Sequence, residues 1–111
     1  MTESDFWPVF AAAVFRQHRR DASLSPVELA LLVTIPENKP GHGGLHSLAL
    51  AKPRGLSPAT ASRALFQLSQ RGYVVLTPDS ADRRRVVITR TAEGTKALSF
   101  LYREIQKGLP K

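Results

Sequence analysis

Cysteine is absent from all 111 residues. That absence excludes disulfides, thiolate metal sites, a cysteine nucleophile and thiol-based redox sensing. It also fits a cytoplasmic location, which is the expectation adopted. No apolar run approaches the roughly 18 residues that a membrane span needs, so no membrane partner is expected. The opening Met1-Thr2-Glu3-Ser4-Asp5 is acidic where a secretory signal would be basic, so no export signal is expected. Acidic residues are themselves scarce. Nine Asp and Glu stand against sixteen Lys and Arg, a formal net charge of +7 and a pI near 10.6. Basic excess on a small protein attracts polyanions, and nucleic acid is the commonest of these inside cells.

Catalytic and cofactor machinery is lacking too. His18, His42 and His46 fall on a helix end, a loop and a helix start, without the convergent spacing of metal ligands. They read as surface or capping histidines. Asp79 and Asp82 are three apart in a polar turn, where turn formation and arginine pairing are the expected roles. Gly41, Gly43 and Gly44 follow no strand and precede no Gly-Lys-Ser/Thr, so they do not cradle a phosphate. No enzyme, metal or cofactor is expected.

What remains is a chain that is 42% hydrophobic and 23% charged, enough for one modest core and one domain over 1–111. Ser4 to Arg20 carries Phe6, Val9, Phe10, Ala13 and Val14 at helical spacing, with Trp7 and Phe15 widening the stripe. Pro8 fits the first turn of that helix, and Arg16, His18, Arg19 and Arg20 suit its negative end. Ser25-Pro26-Val27-Glu28 starts a second helix through a capping box, followed by Leu29 to Ile35, apolar on nearly every side. That pattern predicts a helix buried in the middle of the domain. Pro36 to Gly44 reads as a surface loop, since five of its nine residues are Pro or Gly.

Leu45 to Lys52 predicts a short helix stopped by Pro53, and Arg54-Gly55-Leu56 a turn. Ser57 caps the next helix, with Pro58 at its first position and Gly72 at its end. Ala61, Ala64, Leu65 and Leu68 form its core stripe; Ala59, Arg63, Phe66 and Gln70 face outward, flanked by Thr60, Ser62 and Gln67. Tyr73–Thr77 and Arg85–Thr89 are β-branched runs around a charged tip, which predicts a β-hairpin. Thr91 caps a closing helix to about Lys107, with Ala97, Leu98, Leu101, Tyr102 and Ile105 on one face.

The fold class expected is therefore mainly α with a small β-hairpin, a winged helix-turn-helix. Its second helix is narrow enough for the major groove of B-DNA. Ser57, Ala59, Thr60 and Ser62 allow close approach and offer hydroxyls, Arg63 can grip guanine by two bonds, and Gln67 flanks them. Arg83, Arg84 and Arg85 at the hairpin tip supply charge for a phosphate backbone or the minor groove.

The run Leu50 to Arg63 (LAKPRGLSPATASR), then Gly72-Tyr73-Val74, Asp82-Arg83-Arg84 and Thr91-Ala92-Glu93-Gly94, resembles the MarR (multiple antibiotic resistance regulator) family. The pieces lie in the family's order and spacing over roughly residues 44–98. The resemblance implies a homodimeric DNA-binding repressor whose Thr60, Ser62 and Arg63 read bases. It also implies a minor-groove contact by the wing arginines, with Asp82 orienting one of them. Pro53 and Arg54 stand where the family keeps helical and apolar residues, so the first helix of the pair should end early. Arg90 replaces the leucine usual before the threonine.

The function expected is that of a sequence-specific regulator of transcription acting on double-stranded DNA, with 1–21 and 91–109 as dimerisation helices. The competing readings are a winged helix that binds an acidic protein partner, and a DNA-binding factor in replication, partition or mobile-element control. Phe66, on the polar face of the recognition helix, packs on the loop or the N-terminal helix, or belongs to a protein interface.

Overall fold

The computed structural model describes residues 1–22, 24–37, 45–82 and 84–110. In chain order the elements are α1 (Glu3–Arg20), α2 (Pro26–Thr34), β1 (Leu45–His46), α3 (Ser47–Ala51), α4 (Pro58–Gln70), β2 (Val74–Pro78), β3 (Val86–Arg90) and α5 (Ala92–Gly108).

The first helix begins earlier than its apolar spacing predicts. The Thr2 hydroxyl accepts from the Asp5 N–H at 3.2 Å, and the Asp5 carboxylate accepts from the Thr2 N–H at 3.1 Å. This reciprocal box satisfies two orphan donors of the first turn. Pro8 is therefore inside α1 rather than in its first turn. The bond it forfeits would end on the Ser4 carbonyl, at an exposed residue that water can solvate.

The capping box of α2 forms as expected, with Ser25 Oγ accepting from the Glu28 N–H at 3.2 Å and Glu28 Oε1 from the Ser25 N–H at 3.1 Å. The expectation of burial on nearly every side is corrected. Leu31, Leu32 and Ile35 are fully buried, whereas Val27 and Val33 are exposed. Helix α2 packs against α4 and α5, so its apolar character exceeds the surface those two elements can cover.

The predicted loop is described only at Pro36 and Glu37, which lie beside β3: the Pro36 carbonyl accepts from the Arg90 N–H at 2.7 Å. Its remainder, including Gly41, His42, Gly43 and Gly44, lies outside the described residues. The helix expected from Leu45 is shorter than its sequence suggests. Leu45 and His46 pair instead with Ile88 and Val87 of β3, covering an edge that the hairpin alone would leave open. Only Ser47–Ala51 is α-helical, and Lys52–Arg54 tighten into a 3-10 turn around Pro53, the early end that proline demands. Arg54 Nη1 donates to the carbonyls of Ala49 and Leu50, and Gly55 turns the chain at φ 68.

Strands β2 and β3 form the antiparallel hairpin, with Leu76 opposite Ile88, in a sheet of order β1-β3-β2. Each begins one residue later than expected. Tyr73 is drawn into the end of α4, where its N–H bonds the Leu68 carbonyl while Gly72, at φ 74, bonds that of Ser69. That paired closure requires a left-handed residue, which glycine supplies without strain. The core gathers Leu31, Leu32, Ile35, Leu50, Leu65, Leu68, Val74 and Ile88 between the helix pair and the sheet.

Helix α5 starts where Thr91 joins three groups: its Oγ1 accepts from the Gly94 N–H at 3.1 Å and donates to the Gly72 carbonyl at 2.6 Å, and its own N–H bonds the Tyr73 carbonyl. Its far end lies beside α1, with Gly108 close to Val9, an Arg16–Glu104 ion pair at 3.5 Å and the Arg20 guanidinium 4.8 Å from the Phe100 ring centre.

Candidate nucleic-acid interface

Helix α4 is anchored by the stripe expected of it. Ala61, Ala64, Leu65 and Leu68 are buried, which turns Ala59, Ser62, Arg63, Phe66, Gln67 and Gln70 outward. Ser57 serves the helix first: its Oγ accepts from the Thr60 N–H at 3.1 Å and donates to Thr60 Oγ1 at 2.9 Å. Thr60 is half-buried. Among the described residues no carboxylate engages Arg63, so its guanidinium keeps all five donors.

The wing carries the second group. Asp82 organises it: Oδ1 accepts from the Arg84 N–H at 3.1 Å and from Arg84 Nε at 3.2 Å, while Oδ2 lies 3.8 Å from Arg85 Nε. Both arginine side chains remain largely exposed. Asp82 thus does what the resemblance implied, holding arginines through Nε. Arg83 lies outside the described residues.

Of the two carboxylates expected to form the turn and pair with an arginine, Asp82 holds the arginines, whereas Asp79 takes the turn role through the Ala81 N–H and feels Arg85 only through its charge. The partner of Asp79 is His46, whose Nε2 lies 2.9 Å from Asp79 Oδ2, and His46 is half-buried rather than a plain surface or capping histidine. The reason is β1: pairing with β3 brings His46 beside the start of the hairpin's turn, to Asp79, 33 residues along the chain. The Ala81 N–H, first, and His46, second, hold the Asp79 carboxyl below the usual range.

Two polar clusters that the sequence did not announce set the pose of this surface. Arg71, just after α4, reaches Glu28 at 3.1 Å and Asp21 at 3.8 Å, and the Tyr73 hydroxyl donates to Asp21 at 3.0 Å. Burial, with the Asp21 bond second, pushes the Tyr73 hydroxyl's pKa upward. These contacts tie the end of α4 to the end of α1 and the start of α2. Arg90 donates to Thr95 Oγ1 at 3.0 Å and the Leu32 carbonyl at 3.2 Å, and pairs with Glu37 at 3.2 Å. Partners 53 and 58 positions away leave no local trace in sequence, although an arginine in place of a family leucine was the available signal.

No family model matches the chain. It is 35% identical over 66 residues to an uncharacterized HTH-type transcriptional regulator, YwaE, of Bacillus subtilis, covering 60% of this chain and 39% of that protein. It is 29% identical over 89 residues to the HTH-type transcriptional repressor NicR of Pseudomonas putida, covering 80% of this chain and 54% of that one. The chain thus spans about half the length, or less, of these two relatives. Among solved structures, the Staphylococcus aureus MepR–DNA complex aligns with TM-score 0.75 at 17% identity, over 87% of this chain and 76% of that one. MarR aligns with TM-score 0.69 at 21% identity, over 87% and 67%. In fold, this chain is a winged helix-turn-helix, similar to the solved structures of MepR and MarR.

Proposed function

We propose that the chain is a sequence-specific regulator of transcription that binds double-stranded DNA, acting as a dimeric repressor in the cytoplasm and not as an enzyme. The observation that carries this reading is the pairing of two exposed cationic groups on the two elements that can grip a duplex. Arg63 stands on the outward face of α4, and Arg84 and Arg85 project from the wing, steadied by Asp82. A helix of this kind fits the major groove, and wing arginines follow a phosphate backbone or enter the minor groove. Ser57, Ala59, Thr60, Ser62 and Gln67 complete the α4 contribution, and Arg83 belongs with the wing arginines by its place in the sequence. The names of the relatives support the same reading: NicR is a transcriptional repressor, and MepR was solved on DNA. Selection from a random duplex pool tests it. Enrichment of a palindromic motif, bound with steep salt dependence, is expected; no duplex binding at low salt would overturn the proposal.

A further inference from the structure

Phe66 sits in the middle of the outward face of α4, one turn beyond Ser62 and Arg63, and is 55% exposed. Leu76 of β2 and Val86 of β3, each 38% exposed, lie with it around an open cavity of about 300 Å³ between α4 and the wing. Ser62, Leu65 and Ile88 complete the lining, and among the described residues no charged side chain lines it. Cations bound it on both elements: Arg63 is about 4.5 Å back along the helix by its rise, and Arg85 immediately precedes Val86.

Resting on the DNA-binding reading, we propose that Phe66, with Leu76 and Val86, forms an apolar seat for the C5-methyl group of a thymine. A phosphate has no reason to settle on an uncharged floor. The apolar group that a base pair presents in the major groove is the thymine methyl, and phenylalanine is among the side chains that suit it. Three side chains fall well short of the roughly 800 Å² that each partner contributes to a stable protein interface. The flanking arginines match a polyanion that carries such methyls. Phe66 is then a specificity-determining residue, selecting thymine over cytosine at one position, whereas Arg63 and the wing arginines supply polar contacts.

The test uses the full chain and the duplex recovered from the random pool, with each thymine replaced in turn by deoxyuridine, which lacks only the methyl. Wild type should lose about fourfold in affinity at one position per half-site, the worth of one buried methyl. Phe66→Ala should bind the parent duplex about as weakly as wild type binds the uracil duplex, with no further loss from the uracil. Phe66→Leu, which keeps an apolar side chain, should retain part of the methyl preference, and thermal melting should show both variants folded. Indifference of wild type to every uracil would overturn the seat. So would undiminished methyl sensitivity in both variants, or a change in self-association as the sole effect of Phe66→Ala. Failure to recover any duplex would instead remove the DNA-binding reading on which the seat rests.

Discussion

On the proposed DNA-binding reading, Arg63 is the side chain on which base reading should depend most, because α4 presents it exposed and without a carboxylate partner among the described residues. Arg63→Ala should cost about 1–3 kcal/mol in binding the selected duplex, the worth of a bidentate base contact, and relax preference at one base pair. Its melting temperature should stay unchanged, since the side chain is exposed. Unaltered affinity and selectivity in a filter or anisotropy titration would take Arg63 out of the reading set. Gly94 matters for a different reason. A Cβ there would overlap the Tyr73 carbonyl oxygen and stand 2.8 Å from Arg90 Cγ and 3.2 Å from Leu32 Cδ1. Alanine is worth up to about 1 kcal/mol more than glycine in a helix interior, yet overpacking typically costs about 1–3 kcal/mol. Gly94→Ala should therefore lower the denaturant midpoint; an unchanged midpoint would show that the first turn of α5 shifts freely.

The turn of the wing is held by two carboxylates three residues apart. Where β2 ends and the turn begins, Asp79 accepts from the Ala81 N–H at 2.9 Å and meets His46 of β1; three residues on, Asp82 gathers Arg84 and Arg85. Because the folded state holds Asp79 below its ordinary pKa, its stabilising contribution is present above the unfolded value. It fades only as pH falls through the lowered folded value, so the start of the wing's turn should not change near neutral pH through this carboxylate. The tip should be felt through salt. Replacing Arg84 and Arg85 with alanine should weaken all duplexes by similar factors, since phosphate contacts carry little sequence information. The slope of log K against log salt should fall by about 0.9 for each phosphate that is no longer neutralised. A loss confined to the identity of one base pair would mean that the wing reads bases instead.

The molecule as a whole leaves much apolar surface uncovered on its two long helices. Phe15 of α1 is 70% exposed, Trp7 54% and Tyr102 of α5 61%, while Phe6 and Phe10 stack and Trp7 meets both edge-on in a small aromatic cluster. We propose that segments 1–21 and 91–109 pair with those of a second copy, since helices of one small domain have no further core in which to bury such surface. A two-fold pair would set two α4 helices about 34 Å apart, matching successive major grooves. Light scattering should report a dimer for the full chain, and removing the first twenty residues should yield a monomer or an aggregate with weak operator binding. A well-folded monomer of the full chain would end the dimer proposal.

Local physics was legible in the residues themselves. The capping residues Ser25, Ser57 and Thr91, the stop at Pro53, the glycine closure at Gly72 and the inward stripe Ala61–Ala64–Leu65–Leu68 all act over a few positions. Together they were enough to read the order of the helices and the hairpin, the winged-helix class and the outward face of α4. The Thr2–Asp5 box was equally local, but the apolar spacing drew the helix start to Ser4 and so misplaced Pro8. What the tertiary structure decided was everything that depends on which distant groups meet. Leu45 and His46 became a strand because β3 offered an open edge, and only then could His46 meet Asp79. The exposure of Val33 and Val27 follows from where α4 and α5 lie against α2, and the apolar seat around Phe66 exists only because the hairpin folds back beside α4. Hydrophobic periodicity tells which side of a helix is apolar, whereas packing of the other elements settles how much of that side is covered.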